Sequence, residues 1–107
     1  MKNKGLLNHK ELASFCKQMA MILDSGLSTI EGISLMMEDC KEDEKVILEN
    51  IYQDLLEIPF SSALKKQNIF PDYMIQMIEI GEETGRNDEV MKALYQHYLK
   101  EDALSQS

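Results

Sequence analysis

Apolar residues in this chain return every three or four positions, the repeat of one face of an α-helix. No segment alternates apolar and polar residues with the β-branched enrichment of a half-buried strand. That single periodicity restricts the chain to helices packed on helices. Punctuation between the periodic runs then divides it into six segments.

Asn8 opens the first segment, with Glu11 three residues on as the reciprocal partner of a capping box. Leu12, Phe15, Cys16, Met19, Ile22 and Leu23 follow on one side, and Gly26 stands where a left-handed residue ends a helix. Ser28-Thr29-Ile30-Glu31 is a second capping box, ahead of an apolar face formed by Ile30, Ile33, Met37 and Cys40. Gly32 sits inside that helix at about 1 kcal/mol relative to alanine, so a neighbouring helix is expected to approach it closely. Glu38-Asp39 and the run Lys41-Glu42-Asp43-Glu44-Lys45 read as a charged, solvated connection. A third helix follows with Ile47, Leu48, Ile51 and Leu55 inward, until Ile58-Pro59 interrupts it.

Phe60, Ala63 and Leu64 mark a short fourth helix. Phe70-Pro71-Asp72 starts a fifth, with proline suited to a first helical position, and Met74, Met77, Ile78 and Gly81 line its inner face. Gly85 ends it. Asn87 or Asp88 is expected to cap the sixth, which carries Val90, Met91, Leu94, Tyr95 and Tyr98. The expected fold is all-α, an antiparallel six-helix bundle over residues 10–102. A flexible lead-in over 1–9 precedes it and a frayed tail over 103–107 follows.

At 107 residues and 44% hydrophobic content the chain is long and apolar enough for one packed core. Its net charge of -8 argues against nucleic acid and against unaided adhesion to anionic lipid. The same charge suits a basic protein partner or a bound cation. Cys16 and Cys40 fall on apolar faces and read as reduced core thiols, although the sequence neither supports nor excludes a disulfide. No stretch approaches the roughly 18 apolar residues of a membrane span. The basic start, Met1 to Gly5, is cut off from any apolar signal-peptide core by Asn8-His9-Lys10-Glu11.

Catalytic constellations are missing from the sequence, and the chain is not read as an enzyme. The only histidines, His9 and His97, lie outside any Glu-x-x-His or His-x-x-x-His pattern, and His97 is expected to pair with Glu101 one turn on. Neither cysteine has a base nearby in the pattern. Most methionines fall on core faces, whereas Met21 and Met36 lie off them and offer soft contact surface for another helix. The most informative segment is Gly81-Glu82-Glu83-Thr84-Gly85, which with Glu79, Asp88 and Glu89 gathers five acids around Arg86. Two readings stand: a solvated, self-capping turn, or an acidic corner that binds a basic partner or holds a divalent cation such as calcium through Glu82 and Glu83. A cation there would need waters or a second subunit to complete its shell.

The order of these residues resembles a known family. The run from Phe15 to Leu27 (Phe-Cys-Lys-Gln-Met-Ala-Met-Ile-Leu-Asp-Ser-Gly-Leu) is similar to its opening helix. Ser61-Ser62-Ala63-Leu64 resembles its Leu-Ser-x-Ala-Leu motif. Phe70-Pro71 with Met74, then Gly81-Glu82-x-Thr84-Gly85, resembles its Phe-Pro and Gly-Glu-x-Ser/Thr-Gly signature. This is the F domain of type II secretion systems, shared with platform proteins of type IV pili and competence pseudopili. The resemblance spans residues 12–100, with departures at Glu57, Phe60 and Asn87.

The resemblance implies a helical domain at the cytoplasmic face of the bacterial inner membrane. There it would be a scaffold of the platform that contacts the assembly ATPase and other machine proteins. It also implies a homo-oligomer, expected here as a dimer, tethered through membrane segments outside this chain. The parent reading frame is expected to run beyond Ser107 into an apolar span and a second copy of the pattern. The competing expectation is a free-standing helical adaptor or regulator that binds a basic protein, which neighbouring genes would separate from the first.

Overall fold

The computed structural model describes residues 6–105. It contains α1 (His9–Asp24), α2 (Thr29–Glu38), α3 (Glu42–Leu55), α4 (Phe60–Gln67), α5 (Asp72–Thr84) and α6 (Asn87–Ser105). No strand occurs among the described residues, and none of their helices is long and apolar enough to cross a membrane. The all-α expectation and its six helices hold.

Each helix packs on its neighbour in the chain, and α1 closes the circuit by packing on α6, the most extensive contact in the fold. These two run antiparallel. The end of α1 meets the start of α6 where Asp24 faces Lys92 at 3.8 Å, and its start meets the end of α6 where His9 Nδ1 lies 3.0 Å from Ser105 Oγ. Every helix sends a fully buried side chain to the shared core: Met19, Ile33, Ile51, Leu64, Ile78 and Leu94 in chain order. Burying a residue of this size stabilises by about 1.5–3 kcal/mol, which makes these inner faces the main source of helix stability here.

Both expected capping boxes form. Asn8 accepts the Glu11 N–H at 2.7 Å while Glu11 accepts the Asn8 N–H at 2.9 Å, and Ser28 and Glu31 reciprocate in the same way. The backbone N–H of Ser28, with its hydroxyl, holds the Glu31 carboxyl below its ordinary pKa. Gly32 does lie against α1: a Cβ there would stand 3.1 Å from Ile22 Cγ2 and from Met19 Sδ.

Several boundaries move. The charged run is not all turn, because α3 begins at Glu42 and places three acids in its first turn, where the helix dipole favours them. Met36, expected at the surface, is buried, whereas Met21 is exposed. The chain is held from Leu7 onward, since Leu7 donates its N–H to the Ile69 carbonyl at 2.9 Å and packs on the core. The part of the expected lead-in over 1–5 lies outside the described residues. At the other end α6 extends to Ser105, whose hydroxyl donates to the Glu101 carbonyl at 2.8 Å. Residues 106–107 lie outside the description. Pro71 is the N-cap of α5 rather than its first residue, and α6 already includes Asn87, with Val90 N–H donating to Arg86 O at 3.0 Å.

Candidate functional site

The residues singled out by the family resemblance come together at the α4–α5–α6 junction. α4 starts from Pro59, whose side chain cannot cap a helix. Its missing acceptor arrives from 21 residues downstream. Glu82 Oε2 accepts the Ser61 backbone N–H at 2.8 Å, and Glu82 Oε1 accepts the Ser61 hydroxyl at 2.7 Å. Ser61 is buried, so without this carboxylate its N–H and O–H would lose their acceptor in the interior. The bonds are charge-assisted, and the carboxylate meets the positive end of the α4 dipole.

The other signature residues set this contact in place. Gly81 lets α5 and α6 approach: a Cβ there would stand 2.6 Å from Asn87 Oδ1 and 2.9 Å from Val90 Cγ2. Asn87 Oδ1 is itself buried without a hydrogen-bond partner. Gly85 has φ +72°, a left-handed turn that an L side chain resists, and Arg86 N–H donates to Gly81 O at 2.9 Å to complete it. The Thr84 hydroxyl donates to Ile80 O at 2.9 Å. Ala63 and Leu64 are fully buried on the inner face of α4. Phe70 packs on Phe15 with ring centroids 5.3 Å apart, and Phe15 lies 6.3 Å from Phe60, which ties α1 to the α4 and α5 starts. Pro71 accepts the Ile75 N–H through its carbonyl at 3.2 Å.

The geometry therefore gives Glu82 a structural partner in Ser61. Glu83 is exposed, and among the described residues no three of His, Cys, Asp and Glu converge on a point that could hold a metal. Arg86 reaches Glu89 at 3.6 Å, with both side chains well exposed. Sequence reasoning missed the Glu82–Ser61 bond. The available signal was Pro59, a capping position with no side-chain acceptor, just ahead of a serine.

Both cysteines are free, and burial pushes the Cys16 thiol up to about 12, which keeps it protonated at neutral pH. His97 does not depend on Glu101: its ring lies 4.8 Å from those of Tyr73 and Tyr98.

The family described as Type II secretion system (T2SS), protein F, matches residues 15–107. The chain belongs to this family. Among curated proteins, the Type IV pilus assembly protein PilC of Thermus thermophilus is 28% identical over 94 residues, which is 86% of this chain. The chain spans only 23% of the length of PilC. The matched range takes in both halves of the Glu82–Ser61 bridge and the Gly81 and Gly85 turns. In this T2SS F chain, the signature residues of α4 and α5 thus serve to fix how three helices meet.

Proposed function

We propose that this chain is a scaffold domain of an inner-membrane platform protein of a type II secretion or type IV pilus-like machine. It stands at the cytoplasmic face, is tethered through segments outside this chain, and holds the assembly ATPase and other machine proteins in place. It carries out no catalysis of its own. One observation carries this reading. In a chain of the T2SS F family, the Glu82 carboxylate, the most chemically capable group of the signature, is spent on capping α4. A signature whose polar groups rigidify helix junctions suits a part that positions other proteins.

Fractionation and crosslinking of the full-length protein in its host test the reading. The protein should sediment with the membrane and crosslink to the assembly ATPase through this domain. In-frame removal of the domain should abolish secretion or pilus assembly while the ATPase is still made. Unchanged secretion or pilus assembly, or a protein that stays out of the membrane fraction, overturns it. The domain is further proposed to pair with a second copy through exposed positions such as Met21 and Tyr73. Sedimentation at high concentration should reveal a dimer, and a monomer throughout counts against it.

A further inference from the structure

A cavity of ≈ 390 Å³ opens between α1 and the α2–α3 corner, on the opposite side of α1 from its seam with α6 in sequence terms and apart from the Glu82 bridge. Its floor is apolar, built from Phe15, Leu48, Ile51 and Phe70. Its rim is acidic: Glu11 from α1, Asp39 from the turn after α2, and Asp43 and Glu44 from the first turn of α3. No lysine, arginine or histidine lines it, and among the described residues no cation lies within ion-pair distance of these four carboxylates.

Local helix chemistry accounts for part of the rim. Glu11 closes a capping box, and Asp43 and Glu44 sit where the α3 dipole welcomes acids. Asp39 has no such reason to be there. It is the C-cap of α2, at the end of the dipole that disfavours negative charge, and no basic residue stands in the last turn to offset it. Four like charges around an apolar recess focus a negative potential on its mouth.

We infer that this recess is a docking groove for a basic amphipathic segment of a partner protein. An apolar side chain of that segment packs onto the floor formed by Phe15, Leu48, Ile51 and Phe70, and its flanking lysines or arginines pair with Glu11, Asp39, Asp43 and Glu44. Charge complementarity selects this occupant over a second copy of the chain, which brings its own net charge of -8. The biological sense of the groove rests on the docking role proposed above. The assay below needs neither membrane nor ATPase, so its failure is read apart from the failure of that role.

The probe is a fluorescent amphipathic helical peptide of leucine and lysine, titrated against the full chain. Cys40 lies half-buried on the groove wall, while Cys16 is sealed in the core, so alkylation of Cys40 reports occupancy at the site itself. The peptide should bind, slow Cys40 alkylation, and weaken as salt is raised. Asp43→Lys with Glu44→Lys should lower affinity by about tenfold or more, because two rim charges turn from attraction to repulsion. The distant exposed pair Glu57→Lys with Glu79→Lys, an equal change in net charge, should leave affinity within about twofold. A peptide with serine in place of leucine should bind about tenfold more weakly, having lost its apolar anchor. If the reversal variant fails to fold by far-UV dichroism, Asp39→Asn carries the same comparison, with reduced affinity expected. The groove assignment is overturned by any of the following results: no binding, equal loss from the distant pair, equal binding by the serine peptide, or unchanged Cys40 alkylation. It is also overturned if Lys2→Ser with Lys4→Ser speeds Cys40 alkylation, since the chain then fills its own groove. A dimer that the rim variants dissolve would overturn it as well, by giving the groove to a second copy.

Discussion

At the scale of single residues, the Glu82 carboxylate does for α4 what a serine or aspartate does at the start of an ordinary helix. It reaches Ser61 from another helix because Pro59 cannot act. Glu82→Ala strands a buried N–H and O–H and is expected to cost about 1–3 kcal/mol in chemical denaturation. Ser61→Ala removes one donor and keeps the backbone bond, so it should cost less. A double-mutant cycle between the two should show coupling, and strictly additive costs would mean that the bridge is not formed in solution. Gly85→Val places a β-branched side chain at φ +72° and should cost more than about 1 kcal/mol in the same assay. The open space around Gly85 means that strain, not crowding, sets this cost. The left-handed turn at Gly85 was legible in the sequence because glycine after a periodic run has one main structural use. The role of Glu82 was not. Its partner lies 21 residues away, and only the fold brings Ser61 to it.

At the scale of helices, what could be read depended on how locally each boundary is determined. The capping boxes at Asn8 and Ser28 are contained within four-residue windows, and both form as read. The start of α3 was misplaced because acids are found in turns and in first turns alike, and only the backbone bond from Lys45 N–H to Lys41 O distinguishes them. On the inner face of α2, Ile33 is buried and Met37 and Cys40 pack on the core as read, but Met36 also turns inward and the helix ends at Glu38, before Cys40. Two glycines with similar sequence settings differ in packing, and this gives a paired prediction. A Cβ at Gly81 would stand 2.9 Å from Val90 Cγ2 on a stiff β-branched side chain, so Gly81→Ala should push α6 from α5 and cost about 1–3 kcal/mol. A Cβ at Gly32 would stand 3.1 Å from Met19 Sδ, on a flexible side chain that can yield. There the helix-propensity gain of about 1 kcal/mol offsets the crowding, so Gly32→Ala should be close to neutral. Comparable melting shifts for the two variants would contradict the difference in packing.

At the scale of the whole molecule, the helices form a circuit that α1 and α6 close, and the seam between them contains two buried acids of a weak kind. Cys16 of α1 and Tyr98 of α6 are both buried. Burial pushes the Cys16 thiol from 9.0 up to about 12, and burial, with a smaller contribution from Cys16, pushes the Tyr98 phenol from 10.0 up to about 12. The sign follows directly. Between those values the unfolded chain releases protons that the folded chain retains, so the folded state binds more protons and stability falls as pH rises. Below about pH 9 neither group contributes a slope, because both are protonated in both states. From about pH 9 to 12 each can subtract up to about 1.4 kcal/mol per pH unit once its unfolded form has ionised. Denaturation midpoints should therefore stay level through neutral pH and drop in two stages, first with the thiol and then with the phenol. Tyr98→Phe keeps the ring in the seam and removes the second stage, while Cys16→Ala removes the first. These variants separate the seam from the general effect of added negative charge on a chain that already carries a net -8. If both variants lose stability with pH as steeply as the parent chain, alkaline unfolding begins elsewhere and the α1–α6 seam is not its weak point.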